Sequence, residues 1–455
     1  MRACLSPLSR PAKQTMQASP VALAPGQFSN AVRGLTPLGS PAQGILRLCI
    51  AAFLIAWQLC NFLTAAEGDW PTWRGPSSDG HCAETNVPVK WDAKSIVWKT
   101  ELPGDGQSSP VVSGDHIFLT TALEKGKQRV VLCVDRSSGK IAWQETVWTG
   151  EPEATHAING WASATCATDG KHVVAFFGRG GIHCFDVAGK KLWSKDIGKF
   201  EGPWGTGASP VIVGNAVIQN CEATEQASVT AFNIADGEVL WKTPRDIPEK
   251  GGWSSPILVP NGAKQELVLN GFNGVTSYDP STGKKLWFCK SFAGRGEPTA
   301  THGLGLVYLV NGLAGDVYAV KPGGGGDVTQ SHMAWHSPRK AGRDQPSPII
   351  ANDVMIVVSM DGVGCGYDAK TGRELWKERL GGKFTSSPIA VGDLVYFQRT
   401  DAVGGKRRAP RTLTEPRKAL QPRTHTLPRM SGRAKPSCSR TEACASKRSR
   451  ATESR

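Results

Sequence analysis

A tryptophan closes the same short phrase along this chain: SSGKIAWQ at 137–144, AGKKLWS at 188–194, ADGEVLWK at 235–242, STGKKLWF at 281–288 and KTGRELWK at 370–377. Seven or eight residues before each stands an Asp or Asn: Asp135, Asp186, Asn233, Asp279 and Asp368. From Trp143 the steps are 50, 48 and 46 residues to Trp287, then 48 to a degenerate copy at Trp335 and 41 to Trp376. A period of this length means a repeat architecture, and it limits the fold more than any other feature.

Each unit reads as four short strands. In the first, SSPVV (108–112) is an apolar leading strand, and Gly114-Asp115 turns into HIFLT (116–120). VVLCVD (130–135) and KIAWQ (140–144) follow across the turn RSSG. Short runs of Val, Ile, Phe and Leu divided by Gly, Asp and Ser are strands joined by hairpins. In D-x-x-[ST]-G-K the Asp carboxylate can bond the amides of its own turn, and the Gly supplies the positive φ of a bulged hairpin. The repeated Asp and Gly are therefore structural rather than catalytic. The leading strand recurs as WASAT (161–165), GASPVIV (207–213), WSSPILV (253–259), PTATHG (298–303), QPSPIIA (345–351) and TSSPIAV (385–391), which makes seven starts. No 3.6-residue apolar stripe indicates a helical solenoid. Radially repeated four-stranded units form a β-propeller, so the fold class is all-β. The repeat tryptophans belong to its core, each burial worth about 2–3 kcal/mol.

The ends read differently from the middle. GILRLCIAAFLIAWQLCNFLTAAEG (44–68) carries Arg47 ahead of an apolar stretch, with small residues after it. It reads as a signal peptide over 44–66, with an uncleaved anchor as the alternative. Residues 1–43 form a Pro/Ala/Ser-rich extension expected to be irregular. The net charge of +14 is concentrated at the ends: +5 in residues 1–66 and +11 in 401–455, leaving −2 for 67–400. A near-neutral propeller lacks the basic face of a nucleic-acid binder. From Asp401 onward the strand pattern stops inside a unit, after YFQ (396–398), and gives way to a basic stretch without Phe, Trp or Tyr. A basic arm, a disordered tail and out-of-frame translation all fit residues 401–455. The break in mid-repeat favours the last. The domain reading is therefore 1–43, 44–66, a propeller over 67–400, and the tail, which should not pack on it.

Seven of the twelve cysteines fall in the propeller. No CxxC or Cys/His spacing points to a metal site. No Ser-His-Asp or paired-carboxylate constellation emerges from spacing, so no catalytic residue is assigned. FFGRGGIHCFD (176–186) lacks the helix of a phosphate loop and fits a hairpin. Gly323 to Gly326 read as a flexible linker.

With these phrases in view, the chain resembles the pyrroloquinoline-quinone (PQQ)-type propeller repeats. These occur in quinoprotein alcohol dehydrogenases and in the propeller lipoprotein of the outer-membrane assembly machine. The carriers are D-x-x-[ST]-G-K-x-x-W, the Ser-Pro leading strands and the leader DWPTWRGPSSDG (69–80). The resemblance implies an eight-bladed pattern, truncated here at the C-terminus, in which SIVWK (95–99) completes the last blade. Quinoprotein dehydrogenases hold PQQ over a Trp and under an adjacent-Cys disulfide, with a calcium ion beside it. This chain has no two adjacent cysteines and no CxxCH. The resemblance therefore favours a non-catalytic exported propeller in the periplasm or cell envelope, binding protein, peptide or glycan, with no cofactor. The alternative is a quinoprotein-like oxidoreductase using PQQ and calcium.

In a propeller, the segments entering the innermost strands converge at one mouth of the central channel. Here they carry His156, Asn159 and Trp161, then Trp204, Trp253, Arg295 and Glu297, and Arg343 and Asp344. Bulky hydrogen-bonding groups aimed at one cavity make a ligand site. They could instead plug the channel by pairing with one another, Arg343 with Glu297 for instance.

Overall fold

Short apolar runs with glycine turns fold here, among the described residues, into seven mainly antiparallel sheets, and the order along the chain is the order of the blades. The computed structural model describes residues 68–400 except 86, 88–92, 224–225, 246–251, 293–294, 314 and 340–342, and also the strand 419–420. All of them fall within one unit, Met1–Gln421. The expected extension and signal segment lie outside the described residues, as does most of the basic tail. No described helix is long and apolar enough to cross a membrane.

Blade 1 comprises Val111–Ser113, His116–Leu123, Gln128–Asp135 and Ile141–Thr149. Blades 2 and 3 repeat this over Ala167–Lys195 and Val211–Pro244, and blade 4 over Ile257–Lys290. Blade 5 spans Thr301–Ser337 and blade 6 Ile349–Arg379. Blade 7 contains Ile389–Val391 and Leu394–Tyr396, with His81–Cys82 from the leader added in parallel at its inner side. Ala419–Leu420 pairs with its other edge. This departs from the expectation that the tail stays off the propeller; the edge strand 394–396 presents backbone groups that need a partner.

Two devices hold the blades together, and both were visible as sequence phrases. The first is the tryptophan phrase. Trp193 of blade 2 donates its indole N–H to the Ile234 carbonyl of blade 3 at 2.7 Å. Its ring lies flat on Gly237, where a Cβ would approach ring atoms to 2.7 Å. Gly237 has φ +73° and closes a bulged hairpin whose register shifts at Ala231 and Phe232. Trp98 makes the same latch on blade 1, Trp143 on blade 2, Trp241 on blade 4 and Trp335 on blade 6. The turn glycine is thus required twice, for its backbone conformation and for the close approach of the ring. The acidic residue of each turn behaves as its sequence suggests. Asp135 accepts from the Ser138 amide at 2.7 Å, and hydrogen bonds from Ser138 and Ser137 hold its carboxyl down at about 2.

Trp193, Trp287 and Trp335 are buried, whereas Trp143, Trp241 and Trp376 are half-buried at the blade periphery. Trp287 departs from the pattern. Its indole donates to Glu266 Oε2 at 2.6 Å, and residues 326–327 pair in parallel with Trp287 and Phe288. The glycine-rich stretch is thus tied to blade 4 at two points, by this pairing and by the Gly323 N–H, which donates to Glu266 Oε2 at 3.4 Å. FFGRGGIHCFD forms the hairpin expected of it, with Phe176 opposite Ile182.

The second device is a belt of hydroxyls. At the start of each blade stands a Ser or Thr, followed by Pro in five of the seven. The first six donate their backbone N–H to the hydroxyl of the equivalent residue in the next blade: Ser109 to Thr165, Thr165 to Ser209, Ser209 to Ser255, Ser255 to Thr299, Thr299 to Ser347 and Ser347 to Ser387. All six bonds measure between 2.8 and 3.0 Å. Proline follows naturally, because a strand's first residue need not supply a ladder N–H.

Candidate channel site

The hydroxyl belt fixes where the channel wall lies. Two residues before each belt position, the side chain returns to the same side, as extended chain requires. All seven residues at that offset line one cavity of about 520 Å³: Gln107, Ser163, Gly207, Trp253, Glu297, Gln345 and Thr385. That volume lies within the range of ligand pockets.

The leader forms the floor. Trp70 exchanges backbone hydrogen bonds with Val112 of blade 1, and the Pro71 carbonyl accepts from Thr168 of blade 2. Arg74 Nη2 donates to the carbonyls of Asp79 at 2.6 Å and of Pro348, ahead of blade 6, at 2.7 Å. Gly80 accepts from the Ala390 amide of blade 7. Inside the leader, the Trp70 ring covers Gly75, where a Cβ would come to 2.7 Å. The W-x-x-x-R-G phrase is thus a plug laid across the channel. It separates the 520 Å³ cavity from a second one of about 250 Å³ lined by Pro71, Pro76 and Leu258. Arg74 is only 4% exposed, and burial pushes its guanidinium down to about 10 against the pull of Asp79.

Above the floor, side chains from several blades interlock. The Arg295 guanidinium lies 4.9 Å from the Trp204 ring and 5.6 Å from the Trp253 ring, a cation between two aromatic faces. His156 packs on Trp204 with ring centroids 5.0 Å apart. Asn159 donates to the Trp204 carbonyl at 2.8 Å. Glu297 Oε1 accepts from Arg343 at 3.0 Å and stands 3.5 Å from Arg295. One carboxylate thus serves two guanidinium groups, and Glu297 Oε2 is buried with no hydrogen bond among the described residues.

Of the nine residues nominated from sequence, His156, Asn159, Trp204, Trp253, Arg295, Glu297 and Arg343 line this cavity. Trp161 and Asp344 do not. The Trp161 ring turns back onto Gly126 of blade 1 and lies 6.0 Å from the Arg129 guanidinium, with its indole N–H on the Glu153 carbonyl at 2.8 Å. The absent Cβ of Gly126 makes room for that ring. Asp344 is buried in an ion pair with Arg339, just after blade 5, and loss of solvent raises its carboxyl to about 6 despite that partner. The pairing with Arg339 holds its side chain off the cavity wall.

The wall is aromatic, hydroxylic and cationic. Calcium needs six to eight oxygen ligands, and a single carboxylate held by two arginines does not suit it. Among the described residues no group of three or more His, Cys, Asp or Glu could hold a metal. Six propeller cysteines, Cys133, Cys166, Cys184, Cys221, Cys289 and Cys365, are buried free thiols.

Comparison with known proteins agrees with this architecture. A solved structure of BamB from Moraxella catarrhalis superposes with a TM-score of 0.51 at 17% identity, covering 67% of this chain and 85% of that one. Quinohemoprotein alcohol dehydrogenase from Comamonas testosteroni gives 0.43 at 13% identity, over 73% and 76% of the two chains. Tetrathionate hydrolase of Acidithiobacillus ferrooxidans is 24% identical over 347 residues, 66% of this chain, and the match spans 64% of that relative's length. The family model described as outer membrane protein assembly factor BamB matches residues 76–219, 127–298 and 313–408. With most of the propeller covered by that model and the PQQ-type latches in place, the chain belongs to the BamB family of PQQ-type β-propellers.

Proposed function

We propose that this protein is an exported propeller of the cell envelope that binds a partner at the mouth of its channel. The family and fold support a binding or scaffolding role. The observation that carries the channel reading is the Trp204–Arg295–Trp253 sandwich. It combines flat apolar surface with a fixed cation, and it stands at an open cavity rather than in a packed core. Residues 44–66 are proposed to direct export, which places the propeller in the periplasm or envelope. Protein, peptide and glycan partners all fit a wall of this kind.

The test is a double substitution, Trp253→Ala with Arg343→Ala, in the full chain. Neither residue takes part in a tryptophan latch or the hydroxyl belt. Capture from envelope extract should lose a specific band in the variant while thermal unfolding stays cooperative. Identical capture by both forms would move the site to the blade edges. There Leu240 and Leu375 are exposed, and an extended peptide could add to a strand.

A further inference from the structure

Donors with nothing to donate to gather at the channel floor. Every belt hydroxyl after Ser109 accepts an amide N–H from the preceding blade. None of the seven donates its own proton to a group among the described residues. All but Thr165 line the 520 Å³ cavity. Arg74 lines it too. Its Nη2 is spent on two backbone carbonyls, whereas Nε and Nη1 are buried with no hydrogen bond among the described residues. The guanidinium lies against the last link of the belt. Nη2 reaches the carbonyl of Pro348, which follows Ser347. A Cβ on Gly80 would stand 2.9 Å from that Nη2 and 3.2 Å from the carbonyl oxygen of Pro388, which follows Ser387. No carboxylate forms an ion pair with Arg74 among the described residues. Asp79 is the acidic group whose charge acts on it, and Asp79 Oδ1 is taken by the His81 backbone N–H at 2.9 Å. A buried donor left unmade costs about 1–3 kcal/mol, and more when it is charged. Native proteins meet such groups with ordered water or an ion.

We propose that the channel floor binds a small tetrahedral oxyanion of the sulfate type, held by the Arg74 guanidinium and the hydroxyls of Ser347 and Ser387. O–H and N–H groups around one cation suit a ligand that only accepts. A tetrahedral ion has acceptors in several directions, so one oxygen meets the guanidinium while others meet the two hydroxyls. Nε and Nη1 are sealed from solvent where they lie. The ion draws the guanidinium a short way into the cavity that it lines, and the charge-assisted hydrogen bonds gained are stronger than neutral ones. An ion at this place also ties the leader, through Arg74, to blades 6 and 7. The site is independent of the partner proposed for the mouth.

The test is anomalous diffraction from crystals of the full chain soaked in sodium selenate, paired with calorimetric titration of selenate at constant ionic strength. A selenium peak within hydrogen-bonding reach of Arg74, Ser347 and Ser387 is expected, together with saturable binding in solution. Arg74→Lys keeps the charge but loses the planar fork, and should weaken binding about tenfold or more. Ser387→Thr keeps the hydroxyl and should bind as the wild type does, whereas Ser387→Ala should bind more weakly. If Arg74→Lys fails to fold, the two Ser387 variants carry the comparison. Equal binding by Ser387→Thr and Ser387→Ala would overturn the assigned ligand set. Ordered water at the floor in place of selenate, or a selenium peak on Arg343 alone, would overturn the proposal. So would a peak in the crystal without saturable binding in solution, which would mark an adventitious ion only.

Discussion

The backbone N–H of Ser209 in blade 3 donates to the hydroxyl of Ser255 in blade 4 at 2.8 Å, and both residues are buried. This bond is one link of the belt that sets the channel wall, so the spacing of the cavity residues depends on it. Ser255→Ala should leave the Ser209 amide buried without an acceptor and cost about 1–3 kcal/mol. Ser255→Thr keeps the oxygen and should cost much less. Urea unfolding of the two variants measures the difference.

The tryptophan latch makes a sharper demand. Gly237→Ala would place a methyl group 2.7 Å from the Trp193 ring at a φ of +73°. Strain in the left-handed region and overpacking together should cost about 2–4 kcal/mol. Gly214→Ala is the control, because it shares a positive φ but would meet nothing within 4 Å. If the two variants lose equal stability in denaturant melts, ring contact is not what fixes the glycine.

His183 should give the protein a specific acid sensitivity. Its Nε2–H donates to the Gly180 carbonyl at 2.7 Å and its Nδ1 accepts from Ser194 at 2.9 Å, which fixes the neutral ring. Burial lowers its pKa to about 4. The folded value lies below the unfolded one, near 6.5, so the unfolded chain binds a proton first as pH falls. The contribution is complete above about pH 6.5 and is lost on the way down to about pH 4. Between pH 7 and 4.5 the wild type should lose about 2 kcal/mol more than His183→Gln. Parallel losses would show that the ring is solvated.

Buried thiols provide a check on packing throughout the blades. Loss of solvent pushes Cys133, Cys184 and Cys221 up to about 12. Since the thiolate is the reactive form, these three should resist alkylation at pH 8 until the protein unfolds. Mass spectrometry of the labelled native protein locates any exception.

The blades were legible because their markers are local. The Asp and Gly of a turn act within four or five residues, and a period near 48 needs no knowledge of the ring. The belt was half legible: Ser-Pro recurs along the sequence, but the hydroxyl's partner sits in another blade. The plug was not legible, because Arg74 meets the Pro348 carbonyl 274 positions away and the leader occurs once, outside the period. At the site, bulky residues such as Trp253 and Arg343 attracted notice, whereas Gln107, Ser163, Gln345 and Thr385 did not. The signal for those was the two-residue offset from each belt position. Trp161 shares the even offset and still leaves the channel, because Gly126 opens a competing place for its ring.

The channel mouth as binding surface is the central claim, and site-directed photocrosslinking tests it most directly. A photoreactive residue replaces Ile158 at the cavity rim or Leu240 on an outer strand, both exposed in the free protein. The full chain is then irradiated in envelope extract. Crosslinks from position 158 to a discrete partner, absent from position 240 and abolished by Arg343→Ala, are the expected result. Crosslinks from position 240 alone, indifferent to Arg343, would contradict the account and place recognition on the blade edges.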